Sequence, residues 1–392
     1  MTVLDRSGAQ QSSPHPAPPP AWRPAGDAAS LLPQDTPYRV LGSEPLPAPP
    51  ALLGDAAPPD DAELLALHGH LAKGRRYNEQ ATALTKQGSL AVYPSSTGQE
   101  ACQVAAALAL AEDDWLFPSY RDSLAAVARG VDPVEVLSLL RGDWHSGYDS
   151  RATRVAPLST PLATQLPHAV GLAHAARLAG DELAVLALVG DGGTSEGDFH
   201  EALNFAAVWQ APVVFLVQNN GFAISVPLAK QTAAPSLAHK GVGYGLPGVL
   251  VDGNDAAAVR RVLSAALDRA RSGGGPVLVE ALTYRLEAHT NADDATRYRA
   301  DDEVAAWRAH DPIALVEREL TARGLLTEAH AAQVSAAAEE FASDLRGRMR
   351  TEPSLDPADL FAHVYARPTQ QLEQQQAQLQ EELAAAAEGG PR

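Results

Sequence analysis

Apolar positions first fall into a regular pattern around Asp61. In "DDAELLALHGHLAKGRRYNEQATAL", Leu64, Leu67 and Leu71 share one helical face behind an acidic start, which predicts an amphipathic helix. A second helix is expected over 99–111, after "SSTG". In "VDPVEVLSLLRG", Asp132 can cap, Pro133 sits in the first turn, where its missing N–H costs nothing, and Gly142 can close the helix. The middle third changes period. "ELAVLALV" (182–189), "APVVFLVQ" (211–218), "GVLVDG" (248–253) and "GPVLVEALTY" (275–284) are short, nearly continuous apolar runs, as expected of strands covered on both faces. Helical patterns separate them. The clearest is "DAAAVRRVLSAALDRARSGGG", with Asp255 as cap, Val259, Leu263 and Leu267 in register, and glycines at its end. This alternation predicts an α/β fold, a parallel sheet covered by helices on both faces. Beyond Thr290 the chain turns helical and more charged, and Leu372, Leu379 and Leu383 form a weak heptad seam.

Composition adds boundaries. Residues 1–60 hold fourteen of the thirty prolines and predict an extended or mobile Pro/Ala-rich arm, with Tyr38, Val40 and Leu41 able to pin it to a surface. The expected organisation is this arm, an α/β domain over 61–350 and a helical tail over 351–392. A formal net charge of −18 argues against nucleic acid or an anionic membrane as partner, so an anionic ligand needs a local trap. The single cysteine, Cys102 in "GQEACQVAAALAL", excludes an internal disulfide and reads as a small buried apolar residue. The start lacks the apolar core of a signal peptide and no run has the length of a membrane span, so the cytoplasm is the expected compartment.

The chemistry concentrates where the apolar runs end. "VGDGGTSEGD" (189–198) places Asp191 among glycines at the carboxyl end of an expected strand, just before a helix. Glycines let backbone amides approach phosphate oxygens, and a helix N-terminus favours an anion. The carboxylate would repel a phosphate unless a cation lies between them, and Mg²⁺ takes one or two protein oxygens and fills its octahedron with phosphate and water. Asn219 and Asn220 follow the next strand, with Asn220 29 residues after Asp191, which is one helix and one strand later. Neighbouring strand ends lie close, so Asp191 and Asn220 can reach one cation. The glycines at this strand end do not form the Gly-x-Gly-x-x-Gly of a nicotinamide-binding fingerprint, since a carboxylate stands among them and Ser195 stands where the third glycine would be.

Taken together, "GDGGTSEGDFHEALNFAAVWQAPVVFLVQNNGFAIS" resembles the thiamine diphosphate signature. The chain from about Leu64 to Ala386 resembles the alpha subunits of heteromeric 2-oxo acid dehydrogenases, the branched-chain group most of all. The resemblance implies the thiamine diphosphate-binding α/β fold, with Mg²⁺ held by Asp191, Asn220 and the Phe222 carbonyl, and Gly190, Gly192 and Gly193 lying against the cofactor. "FPSYRDS" matches the family's Tyr-Arg pair, so Tyr120 and Arg121 become cofactor contacts. In "STPLATQ", Leu162 resembles the residue that wedges the cofactor into a bent shape, with Thr160 beside it, and Ser159, Pro161, Thr164 and Gln165 resemble a monovalent cation site for K⁺. "TYRLEAHTNADDATRYR" resembles a regulatory loop in which His289 faces the diphosphate and the reacting carbon, ordered by Arg285, Asp293, Tyr298 and Arg299. His145 in "GDWHSGY" matches a second active-site histidine; His68, His70, His168 and His174 read as surface or core residues.

Two departures follow. Gln218 stands where some relatives carry an arginine for the phosphate, and Thr290 and Ala300 stand where regulated relatives carry serines. By resemblance the expected activity is oxidative decarboxylation of branched-chain 2-oxo acids with acyl transfer to a lipoyl domain, and the alternative substrate is pyruvate or acetoin. The implied partners are a beta subunit, in an α₂β₂ assembly, and a lipoyl-bearing acyltransferase. A non-catalytic scaffold that binds cofactor is the rival reading.

Overall fold

The computed structural model describes residues 28–42, 50–54, 58–142, 147–351, 356–362 and 364–388. The described strands are β1 (Trp115–Phe117), β2 (Val185–Gly190), β3 (Val213–Asn219), β4 (Phe222–Ala223), β5 (Val226–Pro227), β6 (Gly248–Asp252) and β7 (Val277–Leu282). Five form one sheet in the order β1-β2-β3-β7-β6, with every neighbouring pair parallel, and β4 and β5 make a small antiparallel hairpin.

The apolar runs are continuous because both faces of this sheet are covered. Leu186, Leu188, Val214, Leu216, Val277 and Val279 pack on one side against helices Glu100–Ala109 and Ala256–Arg271, through Ala105, Ala106, Val259, Leu263 and Leu267. Val185, Ala187, Val189, Val213, Phe215 and Val217 face the other way, onto helices Gln165–Ala179 and Gly197–Trp209, through Leu166, Val170, Phe199 and Leu203. A single-faced sheet would have required polar alternation, and these strands have none. Cys102 is buried in the first of these layers, where its thiol donates to the Gly253 carbonyl. Strand β1 was not visible in the hydrophobic pattern, since Trp-Leu-Phe is three residues long and only neighbouring β2 gives it a partner.

Helix starts follow their chemistry. Asp132 accepts from the Val134 and Glu135 amides, Pro133 occupies the first turn, and Gly142 ends the helix in a left-handed conformation at φ 102°. Asp255 carries more. One carboxylate oxygen accepts from Ala258 N at 2.9 Å and so caps helix Ala256–Arg271; the other accepts from Val40 N and Leu41 N, each at 2.6 Å. Next to that anchor, Tyr38 N donates to Leu250 O and Asp252 N donates to Tyr38 O, which adds one parallel rung to the edge of β6. Asp255 is fully buried, and burial pushes its carboxyl up to about 6. Asp255→Ala leaves two buried amides, of Leu41 and Ala258, and the half-buried amide of Val40 without an acceptor, so we expect a loss of at least about 2 kcal/mol, combining a lost cap with orphaned donors. Urea unfolding of the purified complex measures it, and a loss below about 0.5 kcal/mol would contradict this anchoring role.

The chain forms two compact units, residues 1–342 and 343–392. The first contains the sheet. The second contains the end of helix Glu328–Arg348, a short helix Asp359–Ala362 and helix Gln370–Glu388, which bears Leu372, Leu379 and Leu383. No described helix is long and apolar enough to cross a membrane.

Because the five strands are parallel, their carboxyl ends share one edge. Beyond it lie residues 119–122 after β1, 191–193 after β2, 220–224 after β3 and Arg285 after β7. In an open parallel sheet that edge is where ligands bind.

Candidate active site

A cavity of about 230 Å³ opens at this edge, lined from all four of those segments and from Ser159, Leu162, Ala163 and Gln165. Gly190 and Gln218 are paired in the β2–β3 register, so Asp191 and Asn220 leave adjacent strands together. Asp191 is 1% exposed. Burial pushes its carboxyl above the usual range, while a hydrogen bond from Gln231 Nε2 to its Oδ2 at 2.7 Å works in the opposite direction. The Asn220 side-chain oxygen accepts from Phe222 N at 3.1 Å, and its amide nitrogen donates to Gln99 Oε1 at 3.2 Å. Asn219 points elsewhere and donates to buried Glu280 on β7 at 2.7 Å. The glycines have separate reasons. A Cβ at Gly190 would meet nothing within 4 Å and so would project into open space, whereas at Gly192 it would strike the Ala223 side chain at 2.7 Å and at Gly193 Val189 Cγ2 at 2.6 Å.

The opposite wall is positive. Arg121 is 5% exposed and Arg285 2% exposed, and the structure brings both to one imidazole. Arg121 Nη2 lies 3.0 Å and Arg285 Nη1 3.1 Å from His289 Nδ1. A guanidinium can only donate, so Nδ1 accepts and the neutral ring carries its hydrogen on Nε2. Burial, then Arg121 and Arg285, press the His289 pKa down to about 4. Tyr120 stands edge-on to His289, with ring centroids 6.0 Å apart. The segment that carries His289 is tied internally: His289 N and the Tyr298 hydroxyl both donate to Asp293 Oδ2, Arg285 donates to Tyr298 and to the Ile224 carbonyl, and Arg299 donates to the Arg285 and Leu286 carbonyls.

Between these walls, Gln218 Nε2 donates to buried Asp122 at 2.7 Å, and Asp122 also accepts from Ser119 N and Gln103. A carboxylate partner fixes that amide, which leaves Gln218 Oε1 buried without a partner. Leu162 is 45% exposed on the cavity wall. Ser159 donates to the Pro161 carbonyl, and Thr164 donates to Asp198. Gln165 donates to the Leu188 carbonyl at 2.7 Å while its Oε1 is buried without a partner. Thr160 and Pro161 are exposed and do not line the cavity. Phe222 lines it and packs on Tyr284 and Leu286. His145 lies outside the described residues. Away from the site, His68 is buried between His330 and Glu317, and His174 stacks on Trp209.

Gln99, Asp122, Glu196, Ala223, Ile224 and Gln231 belong to the site but escaped the sequence reading. Asp122 had a signal, since it directly follows the Tyr-Arg pair; Gln231 had none, because it arrives through the β4–β5 hairpin. Arg285, which the resemblance places among the loop-ordering residues, is also part of the cavity wall.

The family model described as the dehydrogenase E1 component matches residues 71–356. The 3-methyl-2-oxobutanoate dehydrogenase subunit alpha of Mycobacterium tuberculosis (strain CDC 1551 / Oshkosh) is 48% identical over 310 residues, which is 79% of this chain and 84% of that protein. The pyruvate dehydrogenase E1 component subunit alpha of Staphylococcus aureus (strain Mu50 / ATCC 700699) is 39% identical over 269 residues, 68% of this chain and 73% of that one. With most of its length matched and its conspicuous glycines, amides and guanidiniums gathered on one cavity, the chain belongs to the dehydrogenase E1 component family of thiamine diphosphate-dependent 2-oxo acid dehydrogenases.

Proposed function

We propose that this chain is the alpha subunit of an E1 component that oxidatively decarboxylates branched-chain 2-oxo acids and passes the acyl group to a lipoyl domain. The observation that carries the reading is the pairing of buried Asp191 with Asn220 at adjacent strand ends, opposite two buried guanidiniums. The branched-chain preference rests on the higher identity to the 3-methyl-2-oxobutanoate enzyme, 48% against 39%.

The residues present suit the family's cofactor. Open space at Gly190 leaves room at the strand end, and the guanidiniums supply charge for a diphosphate. Mg²⁺ would be held by the Asp191 carboxylate, the Asn220 side-chain oxygen and the Phe222 carbonyl, an all-oxygen set suited to a hard cation. When bound, thiamine diphosphate supplies the nucleophilic carbon and the electron sink for departing CO₂. Arg121 would bind and orient the phosphate end. Leu162 offers exposed apolar surface on the cavity wall against which the cofactor would pack. Neutral His289, protonated on Nε2, can donate or hold a proton at that atom. A monovalent cation such as K⁺ at Ser159, Pro161, Thr164 and Gln165 would give the unpaired Gln165 oxygen a partner. A beta subunit in an α₂β₂ assembly would complete the site, and a lipoyl-bearing acyltransferase would take the product.

Co-expression with a beta subunit of the same family provides the test. With thiamine diphosphate and Mg²⁺, dye reduction should show a higher kcat/KM for 3-methyl-2-oxobutanoate than for pyruvate. A pyruvate preference would overturn the substrate assignment, and no turnover of either would overturn the catalytic reading.

A further inference from the structure

Arg121 and Arg285 form an unusual arrangement for two buried cations. Both converge on one neutral acceptor, His289 Nδ1, at 3.0 and 3.1 Å, and neither forms an ion pair with a described carboxylate. Their other partners are neutral: the Ser95 and His289 carbonyls and the Tyr120 hydroxyl for Arg121, the Ile224 carbonyl and the Tyr298 hydroxyl for Arg285. Arg285 Nε is buried with no partner at all, and its side chain lines the cavity. Each charge raises the cost of the other, and burial with Arg121 nearby lowers the Arg285 pKa. Buried charges are normally paired, so this arrangement lacks an anion. Asp191 and Asp122 are near enough to act on Arg285 and Arg121 through space, yet no acid of the cavity, Glu196 included, accepts a hydrogen bond from either guanidinium: Asp122 accepts from Gln218, Ser119 and Gln103, and Asp191 from Gln231.

We propose that Arg285 directly binds an anionic group of the cavity's ligand and acts as the second guanidinium of the site beside Arg121. This rests on the function proposed above. Gln218 cannot fill that role, because its side chain carries no charge, one of its amide hydrogens is given to Asp122, and its unpartnered oxygen is an acceptor. The anion is either the cofactor's diphosphate or the carboxylate of the 2-oxo acid, which share the oxyanion chemistry that a guanidinium fork recognises.

Arg285→Gln and Arg285→Lys complexes with the beta subunit separate these possibilities. Calorimetry with inorganic pyrophosphate in the presence of Mg²⁺ reads the first source, and KM for 3-methyl-2-oxobutanoate at saturating cofactor reads the second. Loss of one charged hydrogen bond should weaken one of them about 10- to 100-fold in the Gln variant. The Lys variant should lose less and remains informative if the Gln variant does not assemble. A weaker pyrophosphate affinity assigns the diphosphate; a raised KM alone assigns the substrate carboxylate. If neither moves, the proposal is overturned. Tyr298→Phe removes a loop contact of Arg285 and keeps its charge, so an equal loss in that variant would show that Arg285 acts only by ordering the loop. A wild-type complex that bound neither pyrophosphate nor substrate would overturn the proposed function as well, whereas normal wild-type binding with unaffected variants removes only this inference.

Discussion

A complex carrying Asp191→Asn should bind thiamine diphosphate no better with Mg²⁺ than without it. Asp191 provides the only carboxylate of the proposed metal set, and Asn220 and Phe222 add neutral oxygens alone. Removing one partner of a buried charge pair costs roughly 3–5 kcal/mol, so the Mg²⁺-supported affinity should fall by at least about 100-fold. The fold should survive. The substitution removes no volume, and the replacing amide still offers an oxygen to Gln231, which now donates to Asp191 at 2.7 Å. Burial disfavours the ionised carboxylate in the metal-free protein, so the variant's melting temperature without metal should equal or exceed that of the wild type. Calorimetry with and without Mg²⁺, beside a thermal scan of the metal-free complexes, gives both readings. Unchanged Mg²⁺-dependent affinity would remove Asp191 from the metal set.

That prediction was accessible before any coordinates, for a physical reason. Strand ends in a parallel sheet share an edge, so two strands read from their apolar runs already place Asp191 and Asn220 side by side, as the Gly190–Gln218 register shows. The four strands recognised in the sequence are those buried on both faces, where burial writes an unbroken apolar run. Strand β1 escaped because three residues carry no period, and the rung at Tyr38 escaped because a single bridge leaves none either. The site shows the same division. Residues that approach a ligand through the glycine-fenced strand ends leave a local pattern. Gln231 does not, since it acts through a hydrogen bond to Asp191, distant in sequence; Asp122 is marked only by its place after the Tyr-Arg pair, and its bond to distant Gln218 leaves no pattern. Arg285 was legible as a residue of its loop, but the convergence of its guanidinium with Arg121 depends on how the end of β7 meets the end of β1, and spacing alone does not encode that meeting.

His289→Ala should separate the two halves of the reaction. In the structure the imidazole is neutral, with Nδ1 engaged by Arg121 and Arg285 and its hydrogen on Nε2, so it is equipped to handle a proton and contributes little charge. Departure of CO₂ depends on the cofactor's ring, whereas passing an acyl group to a dithiolane requires proton transfer to sulfur. We expect dye-coupled decarboxylation to persist within about 10-fold and acyl transfer to a lipoyl domain to fall by about 100-fold or more, within the range of general acid catalysis. The variant also exposes two guanidiniums that lose their shared acceptor, so both assays belong at saturating cofactor. pH provides a second readout. An anion beside the ring favours its protonated form and raises its pKa from about 4, so binding is coupled to proton uptake at His289. Pyrophosphate affinity should therefore gain more, as pH falls from about 7 to about 5, in the wild type than in His289→Ala, a comparison that cancels the titration of pyrophosphate itself. Equal losses in both half-reactions, with parallel pH profiles, would reduce His289 to a residue that orders its loop.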